Sequence, residues 1–303
     1  MRVLSLFDGI SCARVALERA GIEVQTYYAS EIDKHAIAVS KKNYPDIVQL
    51  GSVVGLTPPE DINLLIGGSP CQDLSIAKKD RKGLDGDRSG LFWEYVRIKD
   101  ECKPTYFILE NVASMPKKDR DIITTTLGVQ PVLFNASLVS AQSRKRLFWT
   151  NLKFELPEDR GILLKDILQP DAEVDERMVV DGKAFCLTAS YQGAIESNSV
   201  KRRQRTMVKV GHIGNSDAQA NRVYDPFGKS CTLSALGGGL GAKTGLYQTT
   251  DRIRKLTPIE CERLQCLPDN YTEGIAKTHR YKCLGNAFNV DVVSHILSVL
   301  HNE

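Results

Sequence analysis

The chain has 303 residues, 42% of them hydrophobic and 25% charged, with a formal net charge of +3. That balance excludes a disordered or fibrous chain and allows one large domain or two smaller ones with a full core. The mild positive charge permits a polyanionic partner without demanding one. Among eight cysteines no CxxC pair occurs, and histidines number five, so zinc-ligand spacing is absent and no metal is expected. No leader-like segment opens the chain, and no apolar run approaches the roughly 20 residues that cross a bilayer. Reduced thiols, a cytoplasmic location and no membrane partner are therefore expected.

In chain order, RVLSLF (2–7) reads as a buried strand, and CARVALERAG (12–21) as a helix stopped by glycine. QTYYAS (25–30) is strand-like, and DKHAIAVSKKNY (33–44) is helical up to Pro45. DINLLIGG (61–68) is a short apolar strand leading into a loop. LFWEYVRIKDEC (91–102) is an amphipathic helix and PTYFILEN (104–111) another buried strand. This alternation predicts an α/β fold with a mostly parallel sheet. From about residue 150 the signals shorten and glycine rises; KRRQRTMVK (201–209) carries five cations and no acid. KAFCLTAS (183–190) and KSCTLSA (229–235) echo one another, and GGGLGAKTG (237–245) reads as a flexible loop. FNVDVVSHILSVL (288–300) returns to a helical pattern that can pack on the first domain.

LFDGISC (6–12) joins the first strand to the first helix, where open α/β sheets bind nucleotides. Gly9 stands alone, without the other glycines that let backbone approach a pyrophosphate, so NAD and FAD are disfavoured. A cofactor without phosphates, such as S-adenosylmethionine, needs less. Glu31 follows the second strand at the distance where an acid meets ribose hydroxyls; a cap on the next helix is the equally weighted alternative.

In IGGSPCQDLS (66–75) Cys71 follows a strand, two glycines, Ser69 and Pro70. Glycine permits a tight turn and proline stiffens it, a frame that a buried structural thiol does not need. Glu110 ends the next strand in FILENV, and a carboxylate placed after a buried apolar run suggests a task. Both would emerge at one sheet edge. In AQSRKRLFW (141–149), Gln142, Arg144 and Arg146 alternate and would share one face of an extended strand, suited to phosphates or carboxylates.

The ordered set FDG, SE, GGSPCQDLS, ENV, QSRKR, RKLTPIECERLQCLPDNY and GNAFNVDVV resembles the cytosine-5 DNA methyltransferase family over residues 3 to about 295. VLSLFDGIS, GSPCQDLS and GNAF are most similar to its de novo branch. The resemblance implies a Rossmann-like S-adenosylmethionine-dependent catalytic domain, 1–165 plus 283–303, and a smaller, irregular, mostly β target-recognition domain, 166–282. Cys71 would be the nucleophile: its thiolate attacks carbon 6 of cytosine and makes carbon 5 electron-rich. Glu110 would bind the base at N3 and the exocyclic amine. Arg144 and Arg146 would orient the base and that carboxylate. Phe7, Gly9, Ile10, Glu31, Ile32, Ser52, Pro70, Leu91, Asn286, Ala287 and Phe288 would line the cofactor pocket. Ser52 stands where the family usually has an aspartate. The substrate would be double-stranded DNA, its target base flipped out, and residues 72–90 would close over it. A monomer of bacterial or phage origin, with a restriction-modification role among those open, is expected. The alternatives are a tRNA methyltransferase of the same chemistry and a catalytically inactive DNA-binding relative.

Overall fold

The computed structural model describes residues 1–70, 89–169, 209–212, 222–224, 246–248, 253–254 and 256–301. The chain forms two compact units. The first comprises residues 1–134, 145–156 and 290–303, the second 135–144 and 157–289.

In the first unit, β1 (Arg2–Leu6) is buried from Val3 to Leu6 and apolar there except for Ser5, as suits a strand covered on both faces. Helix α1 (Cys12–Arg19) buries Val15, Ala16 and Leu17. After β2 (Thr26–Ser30), the Asp33 carboxylate accepts the backbone N–H groups of His35 and Ala36 and starts α2 (Lys34–Asn43). Then come β3 (Val48–Gln49), β4 (Leu64–Gly68), α3 (Phe92–Cys102), β5 (Tyr106–Val112), α4 (Lys117–Leu127), β6 (Val132–Asn135) and β7 (Lys145–Thr150).

The seven strands form one sheet in the order β3-β2-β1-β4-β5-β7-β6. Neighbours from β3 to β5 pair in parallel, and β7 runs antiparallel to β5. β1 has β2 on one side and β4 on the other, so the strand order reverses there. A crevice at the carboxyl ends of the strands opens at such a point. One face of the sheet is covered by a core that includes Leu4, Leu65, Phe92, Tyr95, Leu109 and Trp149.

Gly67 is fixed by this packing. A Cβ added there would lie 3.0 Å from the Leu6 carbonyl oxygen and 3.3 Å from the Tyr95 ring. Gly67→Ala is expected to cost about 1–3 kcal/mol as an overpacked core site. Denaturant unfolding would measure it; an unchanged midpoint would mean that β1 and β4 can part without penalty.

The second unit contains a four-stranded sheet, β11-β10-β9-β8, from Lys209–His212 (β8), Arg222–Tyr224 (β9), Leu246–Gln248 (β10) and Ile253–Arg254 (β11). Two helices follow, α5 (Pro258–Leu264) and α6 (Lys277–Asn286). Thr257 and Glu260 form a reciprocal capping box on α5, with Pro258 as the first helical residue. Glu262 is fully buried. It accepts the N–H groups of Asn270 and Thr272 at 2.8 Å each, the Thr272 hydroxyl, and the Arg280 guanidinium at 2.8 Å. Removing one member of a buried ion pair leaves the other charge uncompensated. Glu262→Ala should therefore destabilise by about 3–5 kcal/mol, seen as an earlier thermal transition; loss below 1 kcal/mol would show Arg280 re-solvated.

The chain returns to the first unit with α7 (Val290–Leu297), which packs on α1, where Arg19 donates to Asp291. The stretch Lys277–His301, which holds the separate helices α6 and α7, has a mean hydropathy of 1.3 over an 18-residue window, long and apolar enough by composition to cross a membrane. The sequence reading found no such run. Some 61% of that window is buried inside the protein, as in a core helix.

Candidate active site

Three turns at the carboxyl ends of β1, β4 and β5 carry the expected motifs. After β1 the backbone is left-handed at Phe7 (φ 56°), Gly9 (φ 63°) and Ser11 (φ 60°). Two of these are not glycine, a strained arrangement of the kind held at ligand sites. A buried carboxylate secures it. Asp8, 5% exposed, accepts the Ser11 hydroxyl at 2.5 Å and the Tyr27 hydroxyl at 2.6 Å. Burial raises its pKa, and the hydrogen bonds from Ser11 and Tyr27 oppose that rise. Asp8 and Tyr27 were not singled out by the sequence reading; the contact spans two strands and leaves no local pattern.

Glu31 lies just beyond β2. Its Oε2 accepts the Gly9 N–H at 2.8 Å, and its Oε1 accepts those of Ile32 at 2.7 Å and Asp33 at 2.8 Å. The helix cap on α2 belongs to Asp33, so the alternative role for Glu31 is already filled. A carboxylate locked by three backbone donors is a preorganised acceptor for hydroxyls. Beside it Ile32 is 77% exposed, an apolar surface suited to a flat ring. This donor and acceptor set fits the nucleoside part of S-adenosylmethionine, and the single glycine of the turn provides no pyrophosphate cradle. Ile10 is 1% exposed, which leaves its backbone as the part available to a ligand. Phe7 and Leu91 are half-buried. The Ser52 hydroxyl accepts the Val54 N–H at 3.1 Å, closing its own turn. Asn286, Ala287 and Phe288 belong to the second unit, at the end of α6.

Cys71 and residues 72–88 lie outside the described residues. Their approach is described as far as Pro70. Gly68 pairs in register with Glu110, which faces Phe148 on its other side. The Asn111 amide donates to the Ser69 hydroxyl at 3.1 Å and to its carbonyl at 3.3 Å, while its Oδ1 accepts the Val112 N–H. The segment entering Cys71 is thus tied to the residue after Glu110. Asn111, noted in the sequence only as a neighbour of Glu110, is a positioning residue for this turn.

Glu110 Oε1 is 2.7 Å from Arg146 Nε, and both side chains are about 15% exposed. Arg146 sits opposite Val112 on β7, so the pairing follows from strand register. Among the described residues Glu110 Oε2 has no hydrogen-bond partner. Arg146 thus fixes one oxygen of the Glu110 carboxylate.

The expected shared face of Gln142, Arg144 and Arg146 does not form. β7 begins at Lys145, and the first two residues belong to the second unit. Arg144, 5% exposed, donates to the carbonyls of Gly285 at 3.2 Å and Ala287 at 3.1 Å, at the C-terminal end of α6. A cation there meets orphan carbonyls and the negative end of the helix dipole. Buried Gln142 donates to the Leu264 carbonyl at 3.2 Å. Arg144 therefore holds the GNA segment, and Arg146 holds Glu110. Among the described residues no group of three or more His, Cys, Asp or Glu side chains could hold a metal ion.

Residues 1–302 match the family described as C-5 cytosine-specific DNA methylase. The chain is 32% identical to the type II methyltransferase M.HhaI of Haemophilus parahaemolyticus, over 98% of this chain and 93% of that one. It is 28% identical to the orphan methyltransferase M.Rho11sI of Bacillus phage rho11s, over 84% of this chain and 61% of that one. The S. pombe Dnmt2 methyltransferase shares the fold, with a TM-score of 0.68 at 20% identity over 100% of this chain and 98% of that one. This chain accordingly belongs to the C-5 cytosine-specific DNA methylase family and transfers a methyl group from S-adenosylmethionine to carbon 5 of cytosine in DNA.

Proposed function

We propose that Cys71 is the nucleophile and that the substrate is a cytosine flipped out of duplex DNA. The observation that carries this reading is the Glu110–Arg146 pair, tied through Asn111 to the backbone that leads into Cys71. Attack of a thiolate on carbon 6 places negative charge on the ring, and Glu110 meets it at N3 and the exocyclic amine. To meet N3, Glu110 must carry or share a proton, and Arg146 on Oε1 orients the carboxyl group. Arg144 acts at one remove by holding the carbonyls of Gly285 and Ala287. The cofactor, when bound, supplies an electrophilic methyl group. Glu31 would accept its ribose hydroxyls, Ile32 would cover its base, and Phe7, Gly9, Ile10, Ser52, Pro70 and Leu91 would line the rest of the pocket on the first unit.

Residues 1–165 with 283–303 form the catalytic domain in this reading, and 166–282 the target-recognition domain. Type II and phage relatives support a restriction-modification role in a bacterial or phage setting; a monomeric, cytoplasmic enzyme completes this reading. Bisulfite sequencing of a duplex plasmid treated with the protein and S-adenosylmethionine tests the substrate. Protected cytosines at one recurring word are the expected result. Methyl transfer to tRNA with none to the plasmid would overturn it.

A further inference from the structure

The buried carboxylate under the first turn has a charge that its structural task does not need. A hydroxyl donates to each oxygen of Asp8, Ser11 to Oδ2 and Tyr27 to Oδ1. The Ser11 hydroxyl also meets that of Ser40 at 2.6 Å, and Ser40 Oγ accepts from the Gln49 side-chain amide at 3.3 Å. A hydroxyl has one hydrogen. With Ser11 donating to Asp8, Ser40 must donate to Ser11, so the hydrogens of this chain all point toward the carboxylate. Among the described residues neither Asp8 nor Glu31 pairs with a Lys, Arg or His side chain. Glu31 acts on Asp8 as a like charge. Arg14, the first cation of α1, lies 3.7 Å from Glu18 and 3.6 Å from Asp46, and Lys34 is exposed. Holding the turn requires only a hydrogen-bond acceptor, which a neutral side chain also provides, whereas a buried charge without a counter-ion is costly.

We infer that Asp8 is a specificity-determining residue, whose charge makes the site favour the cationic cofactor over its neutral product. S-adenosylmethionine carries a sulfonium. When the methyl group leaves, the sulfur keeps the electron pair of the broken bond, and S-adenosylhomocysteine carries a neutral thioether. The sulfur hangs from the ribose by one carbon. A cofactor whose ribose hydroxyls meet Glu31, the reading on which this inference rests, therefore keeps its sulfur within a sugar's width of that carboxylate. Glu31 accepts the N–H of Gly9, the residue after Asp8. At 5% exposure Asp8 acts through its field rather than by contact. Burial pushes it toward the neutral form; its two hydroxyl donors and an arriving cation favour the ionised one. The attraction ends with the transfer itself, which favours release of the product.

The test is calorimetry of the whole chain with three ligands: S-adenosylmethionine, S-adenosylhomocysteine, and a neutral isostere of the cofactor with a CH group in place of the sulfonium. A unit charge about 10 Å away, at an effective dielectric of about 20, changes affinity by about tenfold. Wild type should bind S-adenosylmethionine about tenfold more tightly than the isostere. Asp8→Asn, which keeps the shape, should lose about tenfold in affinity for S-adenosylmethionine and little for the two neutral ligands. Ser11→Ala, which disturbs the same turn and keeps the charge, should shift all three alike. Equal affinity of the wild type for S-adenosylmethionine and the isostere would overturn the inference, and that comparison stands even where Asp8→Asn does not fold. An Asp8→Asn loss shared equally by the three ligands would overturn it as well. Glu31→Gln should weaken all three, because each presents the same ribose; if it weakens none, the reading of Glu31 falls instead.

Discussion

Cys71→Ser is expected to lose methyl transfer by on the order of 10⁴-fold or more, the scale seen when a nucleophile that works as a unit with its partners is removed. That is about 5.4 kcal/mol of transition-state stabilisation. The hydroxyl is nearly the same size as the thiol but is far less ionised near neutral pH, so it cannot open the reaction at carbon 6. S-adenosylmethionine affinity should be retained, because Glu31 and Ile32, assigned to its ribose and base, lie on another turn. The distinguishing readout is a covalent adduct with DNA carrying 5-fluorocytosine, formed by the wild type and absent from the variant. Undiminished turnover, or an adduct mapped by mass spectrometry to another side chain, would remove Cys71 from its role.

Glu110→Gln is expected to lower kcat by about 10²–10³-fold, the range for removing one preorganised group that meets developing charge. The amide keeps the shape of the side chain. It cannot carry the shared proton, and it turns the ion pair with Arg146 into a weaker contact. KM for S-adenosylmethionine should barely move, since Glu31 follows β2 rather than lying on β5. Arg146→Gln should act through the same carboxyl group. The double variant should then cost much less than the product of the single losses, which is the sign of coupling in a mutant cycle. Full additivity would show that Arg146 works independently of Glu110 and would break the assignment built on their 2.7 Å contact.

Much of the first unit was legible because parallel-sheet strands are continuous apolar runs and the helices between them keep a 3.6-residue period. The readings at 2–7, 25–30 and 104–111 match β1, β2 and β5 to within two residues at either end. Helix α4 was not read, since KKDRDIITTTL carries a run of β-branched threonines and no strong apolar stripe. Two-residue β3 is too short for any periodicity. Within the site, residue types and their order pointed to the chemistry. What they did not say was which arginine serves which partner.

The sequence by itself determined the family, the reaction and the residue types that can perform it, because FDG, PCQ, ENV and QSRKR are local strings whose chemistry travels with them. Tertiary structure alone decided the partners. Arg146 meets Glu110 because β7 runs antiparallel beside β5 and sets Val112 opposite Arg146. Arg144, two residues earlier, lies ahead of the strand and caps α6. Glu31 is locked by Gly9, and Asp8 by Tyr27, across neighbouring strands. Contacts between residues tens of positions apart depend on strand order and register, and a linear string of side chains does not encode either one locally.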